Sequence, residues 1–324
     1  MKMRHIFSLL FAGSAILSPV AHANTKVAFV PMLIGIPYFD AMEAGGNRAA
    51  KDLGIEFIYQ GPVDANPVDQ LQIIENLINQ EVDAISVAVL DAKSLDPLFS
   101  KAKSKGLKLF TSDSDAPDSD RPVFVAQATN EGLGNTIIDE LVERVGTSAK
   151  IGVVSGAATA TNLNTWIEVM QARVAEKYPN VTLLEPQYSD TGQQAAQKAT
   201  DLMTVNPDLN AIIGVASTTC PGVGQAIENA NKIGKVIGTG YCSPNTARSY
   251  VKSGAMGFTV LWDPEQLGYL TAWAGMKLVA GEEFEAMNEV PSFDYKISFD
   301  ADTGILLLGP PAVFTKENID NYDF

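Results

Sequence analysis

The sequence predicts an α/β protein built from two doubly wound parallel-sheet domains that are joined by multiple hinge crossings. Three observations predict this class: apolar β-branched runs alternate with helical patterns from end to end, the alternation forms two successive series, and no low-complexity linker separates the series. Strands and helices of these lengths imply parallel sheets that are covered on both faces and connected by right-handed crossovers.

The first series contains three successive β-α-β crossovers. Its first helix places Phe39, Met42 and Ala49 on one face and is stopped by Gly54. The elements expected in this series are strand 26–30, helix 37–53, strand 55–60, helix 68–80, strand 84–89, helix 94–105 and strand 107–111.

The second series repeats the same alternation. The elements expected in it are helix 133–145, strand 150–155, helix 164–178, strand 181–187, helix 193–205, strand 211–216, helix 223–233 and strand 235–240. In sheets of this kind, ligands bind outside the carboxyl ends of the strands, near a topological switch point. Functional residues are therefore expected directly after the strands.

Three segments are expected to pass between the two halves: 121–129, a strand at 256–262 with the helix 265–278 after it, and 291 to the carboxyl end. This predicts an N-terminal lobe of 24–127 plus 262–292 and a C-terminal lobe of 128–261 plus 293–324. Multiple crossings act as a hinge, and that geometry suits two lobes that close on a small ligand.

Residues 1–23 are predicted to be a cleaved secretory signal. Lys2 and Arg4 precede an apolar stretch at 6–20, and Ala21-His22-Ala23 completes the pattern. A buried N-terminal helix is the alternative. Export implies a periplasmic protein of a Gram-negative bacterium, and no later run approaches the roughly 20 apolar residues that a membrane-spanning helix needs.

Loss of the signal would restrict the chemistry of the mature chain. His5 and His22 are the only two histidines, so histidine triads and histidine-ligated metal sites are excluded. Without Lys2 and Arg4, 21 basic residues face 38 acidic ones, a net charge of −17 that repels nucleic acid and anionic membranes. No cofactor or metal is expected, because zinc, phosphate-loop and nucleophile-elbow motifs do not occur.

Several short segments resemble segments of one known family. The segments 31–39 (PMLIGIPYF) and 111–115 (TSDSD) are similar to the first strand with its aromatic turn and to the ligand-binding aspartate loop of the type I periplasmic solute-binding proteins of ABC sugar importers, the ribose-binding-like group. The segments 240–245 (GYCSPN) and 261–263 (LWD) and the ending 304–324 resemble the branch that contains autoinducer-2 receptors and rhamnose-binding proteins.

The resemblance implies a binder of a small sugar or sugar-like ligand that works with an inner-membrane ABC permease, and with a chemoreceptor in some systems. It implies a monomer. Asp113 matches the family's sugar-contacting aspartate. Met32 replaces a lysine of the autoinducer-2 receptors, Asn162 and Leu163 replace an aspartate and a glutamine, and Val215 and Ser217 replace a proline and an alanine. These departures favour another small polyhydroxylated ligand.

A sugar site needs aromatic planes for the apolar faces and fixed donors and acceptors for the hydroxyls. Tyr38, Phe39 and Trp262 supply planes at predicted strand ends, whereas Trp166 and Trp273 lie on helical patterns and are assigned to packing. The predicted ligand-binding residues are Met32, Tyr38, Phe39, Asp113, Asn162, Ser217, Tyr241, Trp262, Asp263 and Gln266.

Some polar candidates have a second interpretation. Asn162 precedes a helix as a natural N-cap, and Asp263 and Gln266 flank Pro264 at a helix start, where capping and ligand binding both fit. Asp115 is interpreted as a turn or cap residue. Cys220 and Cys242 each follow a strand, so either a disulfide or two separate thiols fits.

The main prediction is a binding protein and not an enzyme. Two alternatives stay open: a signal receptor of the autoinducer-2 type, and a periplasmic carbohydrate-active enzyme that uses paired carboxylates such as Asp113 and Asp263.

Overall fold

A sheet of eight strands forms the centre of the first lobe in the computed structural model, which describes residues 25–324. The signal predicted at 1–23 lies outside these residues. The chain builds most of this lobe first, from β1 (Lys26–Val30), α1 (Pro37–Leu53), β2 (Glu56–Tyr59), α2 (Pro67–Asn79), β3 (Ala84–Val87), α3 (Ala92–Ser104), β4 (Lys108–Ser112) and β5 (Phe124–Ala126).

The second lobe follows without interruption and contains a parallel sheet of five strands. Its elements are α4 (Asn130–Val145), β6 (Lys150–Ser155), α5 (Thr161–Lys177), β7 (Thr182–Leu183), β8 (Gln187–Tyr188), α6 (Gly192–Val205), β9 (Ala211–Gly214), α7 (Thr219–Asn229), β10 (Ile237–Gly240), α8 (Pro244–Ser253) and β11 (Thr259–Leu261).

The chain then returns to the first lobe and crosses once more. The returning part consists of α9 (Pro264–Ala280), β12 (Met287–Asn288), β13 (Ile297–Asp300) and β14 (Ile305–Leu307). After it come β15 (Ala312–Phe314) and a 3-10 turn (Ile319–Asn321). Three crossings thus connect the lobes within residues 25–324, as the sequence predicts.

The order of the strands identifies one topological switch point in each sheet. The first sheet runs β2-β1-β3-β4-β5-β14-β13-β12, parallel from β2 to β14 and antiparallel at the β13 and β12 edge. The second runs β10-β9-β6-β7, and β8 pairs with β6 beyond β7. In each sheet the chain first adds a strand on one side of its first strand and then continues on the other side. The change of side lies between β1 and β3 in the first sheet and between β6 and β9 in the second. Each of these is a topological switch point.

The strands β13 and β14 correct one predicted boundary. The sequence pattern assigned 293–324 to the second lobe, yet β14 pairs in parallel with β5, with Leu306 opposite Val125, so 297–307 belong to the first sheet. Only β15 crosses over, pairing antiparallel with β11. The strands from β12 to β14 have two to four residues each, which is too short for an alternating pattern to be read.

Helix α8 was not predicted. Only Pro244, Ala247 and Val251 of its ten residues are buried, so the helix is short and mostly polar and offers few apolar positions from which a helical pattern could be recognised. Its ends nevertheless carry local signals: Pro244 occupies the first turn, and Gly254 closes the helix in the left-handed conformation with φ of 85°.

Two glycines let α1 and α9 pack backbone against backbone. A Cβ atom on Gly45 would lie 1.8 Å from the carbonyl oxygen of Glu265, and one on Gly268 would lie 2.0 Å from that of Met42. Any larger residue at either position would push the helices apart. The contact holds α1 against the start of α9.

The carboxyl end packs on the second lobe. Phe314 of β15 contacts Tyr322 and Phe324 edge to face, and the backbone N–H of Asn245 donates to the carbonyl oxygen of Phe324 at 3.0 Å. Among residues 25–324, no helix is both long and apolar enough to cross a membrane.

Candidate functional site

A cavity lies between the two lobes, at the carboxyl ends of the strands of both sheets. It leaves about 690 Å³ of space, part of which is open to solvent. Both switch points face it, because its lining residues follow β1, β3 and β4 in the first lobe and β6, β9 and β10 in the second. The position agrees with the general rule for ligands of open α/β sheets.

The first lobe contributes an aromatic turn and a buried carboxylate. Pro37 starts α1 directly after the loop that follows β1, so Tyr38 and Phe39 lie in the first turn of the helix and reach the cavity. Met32 lies in the loop before them. Asp113 comes directly after β4 and lines the same space.

The second lobe contributes the beginning of α5 and two strand ends. Asn162, Leu163 and Trp166 line the cavity together, because positions three and four apart share one face of a helix. Ser217 follows β9 and Tyr241 follows β10.

A hinge segment completes the lining. Trp262 lies on the crossing between β11 and α9 and also faces the cavity. The lining therefore comes from both lobes and from the segment that connects them.

Asp113 has an unusual backbone and an unusual environment. Its φ is 66°, in the left-handed region that residues other than glycine seldom occupy, and the residue is only 3% exposed. Such conformations cluster at functional sites. Burial raises the pKa of this carboxyl from 3.8 to about 7, although the hydrogen bond from Tyr38 acts in the opposite direction.

A relay of two hydrogen bonds holds the carboxylate. The Tyr38 hydroxyl donates to Oδ1 of Asp113 at 2.5 Å, and Nε1 of Trp262 donates to the Tyr38 oxygen at 3.1 Å. Burial, together with the neighbouring Asp113, raises the pKa of Tyr38 well above its usual value, so its proton stays in place. The two bonds fix Tyr38 and Asp113 of the first lobe in position relative to Trp262 on the hinge crossing.

Four aromatic rings form a continuous chain across the cavity. Tyr38 contacts Trp262 with ring centroids 5.9 Å apart, Trp262 contacts Trp166 at 5.8 Å, and Trp166 contacts Tyr241 at 4.8 Å, each edge to face. This geometry is favourable for aromatic pairs. The chain runs from the first lobe through the hinge crossing into the second lobe.

Eight of the ten predicted residues lie together in this cavity. They are Met32, Tyr38, Phe39, Asp113, Asn162, Ser217, Tyr241 and Trp262. Asp263 and Gln266 do not line it. Asp263 is the N-cap of α9, where its Oδ1 accepts hydrogen bonds from the backbone of Glu265 and Gln266, and the Gln266 amide oxygen accepts one from Tyr295. Helix capping is therefore a better interpretation of Asp263 than ligand binding.

Trp166 is a lining residue that its helical pattern had assigned to packing. It is buried, yet it faces the cavity, and its indole N–H donates to Asn130 at 3.0 Å. Its position four residues after Asn162 was the available signal. Trp273, by contrast, packs against Phe284 in the core as expected.

Asp115 is a structural residue. Its Oδ2 accepts from Nη2 of Arg121 at 2.7 Å, while Oδ1 accepts from Thr111 and from the backbone of Ala116. This agrees with its interpretation as a turn residue. The contacts also explain why neither Asp115 nor Arg121 reaches the cavity lining.

The two cysteines form a disulfide. The Cα atoms of Cys220 and Cys242 are 5.7 Å apart, and both residues are fully buried. The bond joins the segment after β9, which carries Ser217, to the segment after β10, which carries Tyr241. Of the two alternatives that the sequence left open, the structure has the disulfide.

Residues 25–324 contain no cluster of three or more metal-ligating side chains. The cavity can do two things chemically: its rings can cover apolar faces of a ligand, and its polar groups can accept hydrogen bonds or balance a positive charge.

Known proteins show the same architecture. The solved structure of LsrB from Clostridium saccharobutylicum in complex with AI-2 matches with a TM-score of 0.86 and 26% identity, covering 92% of this chain and 100% of that one. An ABC transporter solute-binding protein from Clostridium phytofermentas with bound L-rhamnose matches with a TM-score of 0.86 and 28% identity, covering 93% and 98%.

A curated relative is also similar in sequence over most of the chain. The D-allose-binding periplasmic protein of Escherichia coli is 29% identical over 291 residues, which are 84% of this chain and 90% of that protein. The periplasmic binding protein domain family matches residues 27–283, most of the chain. The resemblance inferred from the short segments is thereby confirmed, and the chain belongs to the periplasmic binding protein family.

Proposed function

We propose that this protein is the periplasmic solute-binding component of an ABC transporter in a Gram-negative bacterium. It binds a small sugar or sugar-like polyhydroxylated ligand in the cavity between its lobes and delivers it, as a monomer, to an inner-membrane permease. The observation that carries the proposal is the cavity itself, where a buried carboxylate and a chain of aromatic rings meet at the switch points of both sheets.

The names of similar proteins support a sugar-like ligand. Similar chains are called D-allose-binding and, at lower identity, ribose import binding proteins, and one solved structure holds L-rhamnose. Binding and transport, not catalysis, is the activity that these names describe. The chemistry of the cavity agrees, since aromatic planes with a carboxylate acceptor suit a small ring with hydroxyls.

The second candidate is a signal receptor of the autoinducer-2 type that passes its message to a chemoreceptor. The similarity to LsrB in complex with AI-2 favours it. The lining weakens it, because Met32 and Leu163 give the cavity apolar groups where the resemblance to such receptors would place a lysine and a glutamine. A nutrient sugar therefore remains the first choice.

The enzyme alternative named Asp113 and Asp263 as its carboxylate pair, and these two side chains do not face one space. It required Asp113 and Asp263 to face one substrate, but Asp263 caps α9 and does not line the cavity. A carboxylate-dependent glycosidase needs both groups beside the scissile bond.

The ligand can be identified from protein purified from the periplasm. The complex is denatured, the released small molecules are analysed by mass spectrometry, and candidates are then tested in a thermal-shift screen of pentoses, deoxyhexoses, polyols and autoinducer-2. A ligand at 100 times its Kd adds about 2.7 kcal/mol of stability, which such a screen detects readily. Recovery of an unchanged sugar supports the proposal, and conversion of the added sugar to a product would overturn it.

A further inference from the structure

The lining of the cavity carries negative charge. Asp113 and Asp190 are both part of it, and no lysine or arginine among residues 25–324 lines it. Asp113 also borders an adjoining groove that Arg121 lines, but the Arg121 guanidinium is already paired with Asp115. A neutral polyol would leave this charge unbalanced when the lobes close over it.

Asp113 is the residue for which this matters most. It is 3% exposed, its only side-chain hydrogen bond within residues 25–324 comes from the neutral Tyr38 hydroxyl, and it forms none of the ion pairs among those residues. A buried carboxylate without a counter-charge is unstable as an anion and shifts toward its neutral form. A ligand that supplies a positive charge removes this penalty.

The rest of the lining can hold a cation as well as a ring with hydroxyls. Tyr38, Trp166, Tyr241 and Trp262 form the aromatic chain, and the faces of such rings attract cations. Besides the carboxylates and the aromatic residues, the hydrogen-bonding side chains of the lining are Asn162, Ser217 and Thr218. The Asn162 side-chain oxygen already accepts from the backbone N–H that follows it, and the Tyr241 hydroxyl is buried with no partner among the described residues.

We propose that the ligand carries a protonated amine: it is an amino sugar or an amino polyol whose ammonium group pairs with Asp113 and lies among the aromatic rings. The unpartnered Tyr241 hydroxyl then bonds a hydroxyl of the same ligand. This inference rests on the proposed function, since it names the chemical class of the ligand that binds at the same site.

Matched probes test it directly. Glucamine and glucitol differ only in one amine, as do galactosamine and galactose, and isothermal titration gives the Kd of each. Within at least one pair, the amine is expected to bind at least about tenfold more tightly than its neutral partner at neutral pH. Asp113→Asn should reduce that preference to about twofold or less, because the amide keeps the size but not the charge.

A control variant tests whether the charge effect is specific to Asp113. Asp118 lies in the same loop as Asp113 but on the exposed surface, so Asp118→Asn should leave the preference for the amine unchanged. An equal loss of preference in both variants would mean that the general negative charge of the protein, and not a pairing with Asp113, attracts the amine.

A pH series completes the test. Glucamine should bind more weakly near pH 5.5 than near pH 8, because Asp113 must lose its proton to pair with the amine. The other titratable groups of the lining are Tyr38, Tyr241 and Asp190. Burial raises the pKa of both tyrosines well above the usual value, so they stay neutral in this interval. Asp190 is exposed, and Asp190→Asn should leave the pH effect in place.

The outcomes separate the two proposals. A neutral sugar that binds as tightly as its amine, with no effect of Asp113→Asn on the ratio, overturns the amine inference and leaves the sugar function intact. Binding of choline but of no sugar, polyol or amino derivative overturns both proposals and would indicate a ligand that is a simple quaternary ammonium ion. Binding of none of these probes overturns both.

Discussion

Trp262 and Tyr38 are joined by a hydrogen bond although 224 residues separate them in the chain. The indole N–H donates to the tyrosine oxygen, and the tyrosine in turn donates to Asp113. Trp262 lies on the crossing from the second lobe to the first, so these two bonds connect the hinge segment to the buried carboxylate.

Tyr38→Phe tests this relay. Asp113 would lose the one side-chain donor that it has within residues 25–324, and its pKa should rise further, because that hydrogen bond favours the anion. We expect a loss of about tenfold in ligand affinity, the value of roughly one hydrogen bond. Calorimetric titration measures it, and Tyr59→Phe is the control, because the Tyr59 hydroxyl has no partner among residues 25–324 and is absent from the lining. Equal losses in both variants would contradict the relay.

The buried carboxyl should make the unliganded protein less stable as the pH rises. Between pH 3.8 and about 7 the folded chain holds a proton on Asp113 that the unfolded chain releases. Its stabilising effect is therefore present at low pH and is lost as the pH rises through about 7. Asp113→Asn removes this dependence and should exceed the wild type in stability by a few kcal/mol near pH 8.

Urea denaturation near pH 5 and near pH 8 measures this effect. The difference between Asp113→Asn and wild type should be clearly smaller at the lower pH than at the higher one, because the loss of stability accumulates from pH 3.8 to about 7. Two proteins with parallel pH profiles would show that the Asp113 carboxyl titrates normally.

Trp166 and Trp273 should respond in opposite ways to replacement by alanine. Trp166 lines the cavity, so Trp166→Ala should weaken ligand binding by roughly 2 to 4 kcal/mol, as for buried aromatic anchors. Trp273 packs against Phe284 away from the cavity, so Trp273→Ala should lower the free energy of unfolding by about 3 to 5 kcal/mol and leave the Kd unchanged. Calorimetric titration and urea denaturation of both variants measure these two effects. Unchanged ligand affinity in Trp166→Ala would mean that Trp166 only packs in the core and does not contact the ligand.

The disulfide should be worth about 3 kcal/mol of stability, the amount expected for a loop of this length. Its cysteines are 22 positions apart in sequence. The double variant with Cys220→Ala and Cys242→Ala should unfold at a lower urea concentration. Adding a reductant should lower the midpoint of the wild type but not that of the variant, and equal sensitivity to reductant would mean that the bond does not form in solution.

The sequence correctly predicted that most of the candidate residues lie in one cavity, because they follow apolar, buried strands. Tyr38 and Asp113 come shortly after such strands, and parallel topology then brings them together. Trp166 was missed because it lies on a helix, where the face toward the cleft depends on how α5 packs over the sheet. Asp263 was ambiguous because capping and ligand binding use the same side chain at the same helix start.

The short elements were the other source of error. The strands β12, β13 and β14 have two to four residues, and the contact of β14 with β5 joins positions that lie far apart in the chain, such as Leu306 and Val125. A pattern within a short stretch of sequence cannot predict a pairing between positions so far apart. The assignment of 293–324 to one lobe failed at this point.

The Cys220–Cys242 bond ties together two loops that each present side chains to the cavity. Ser217 and Thr218 lie just before one cysteine, and Tyr241 directly precedes the other. Their freedom is thus lost when the oxidised protein folds and not when the ligand arrives, so capture carries a smaller entropic penalty. The disulfide therefore preorganises the side of the cavity formed by Ser217, Thr218 and Tyr241, although neither sulfur needs to touch the ligand.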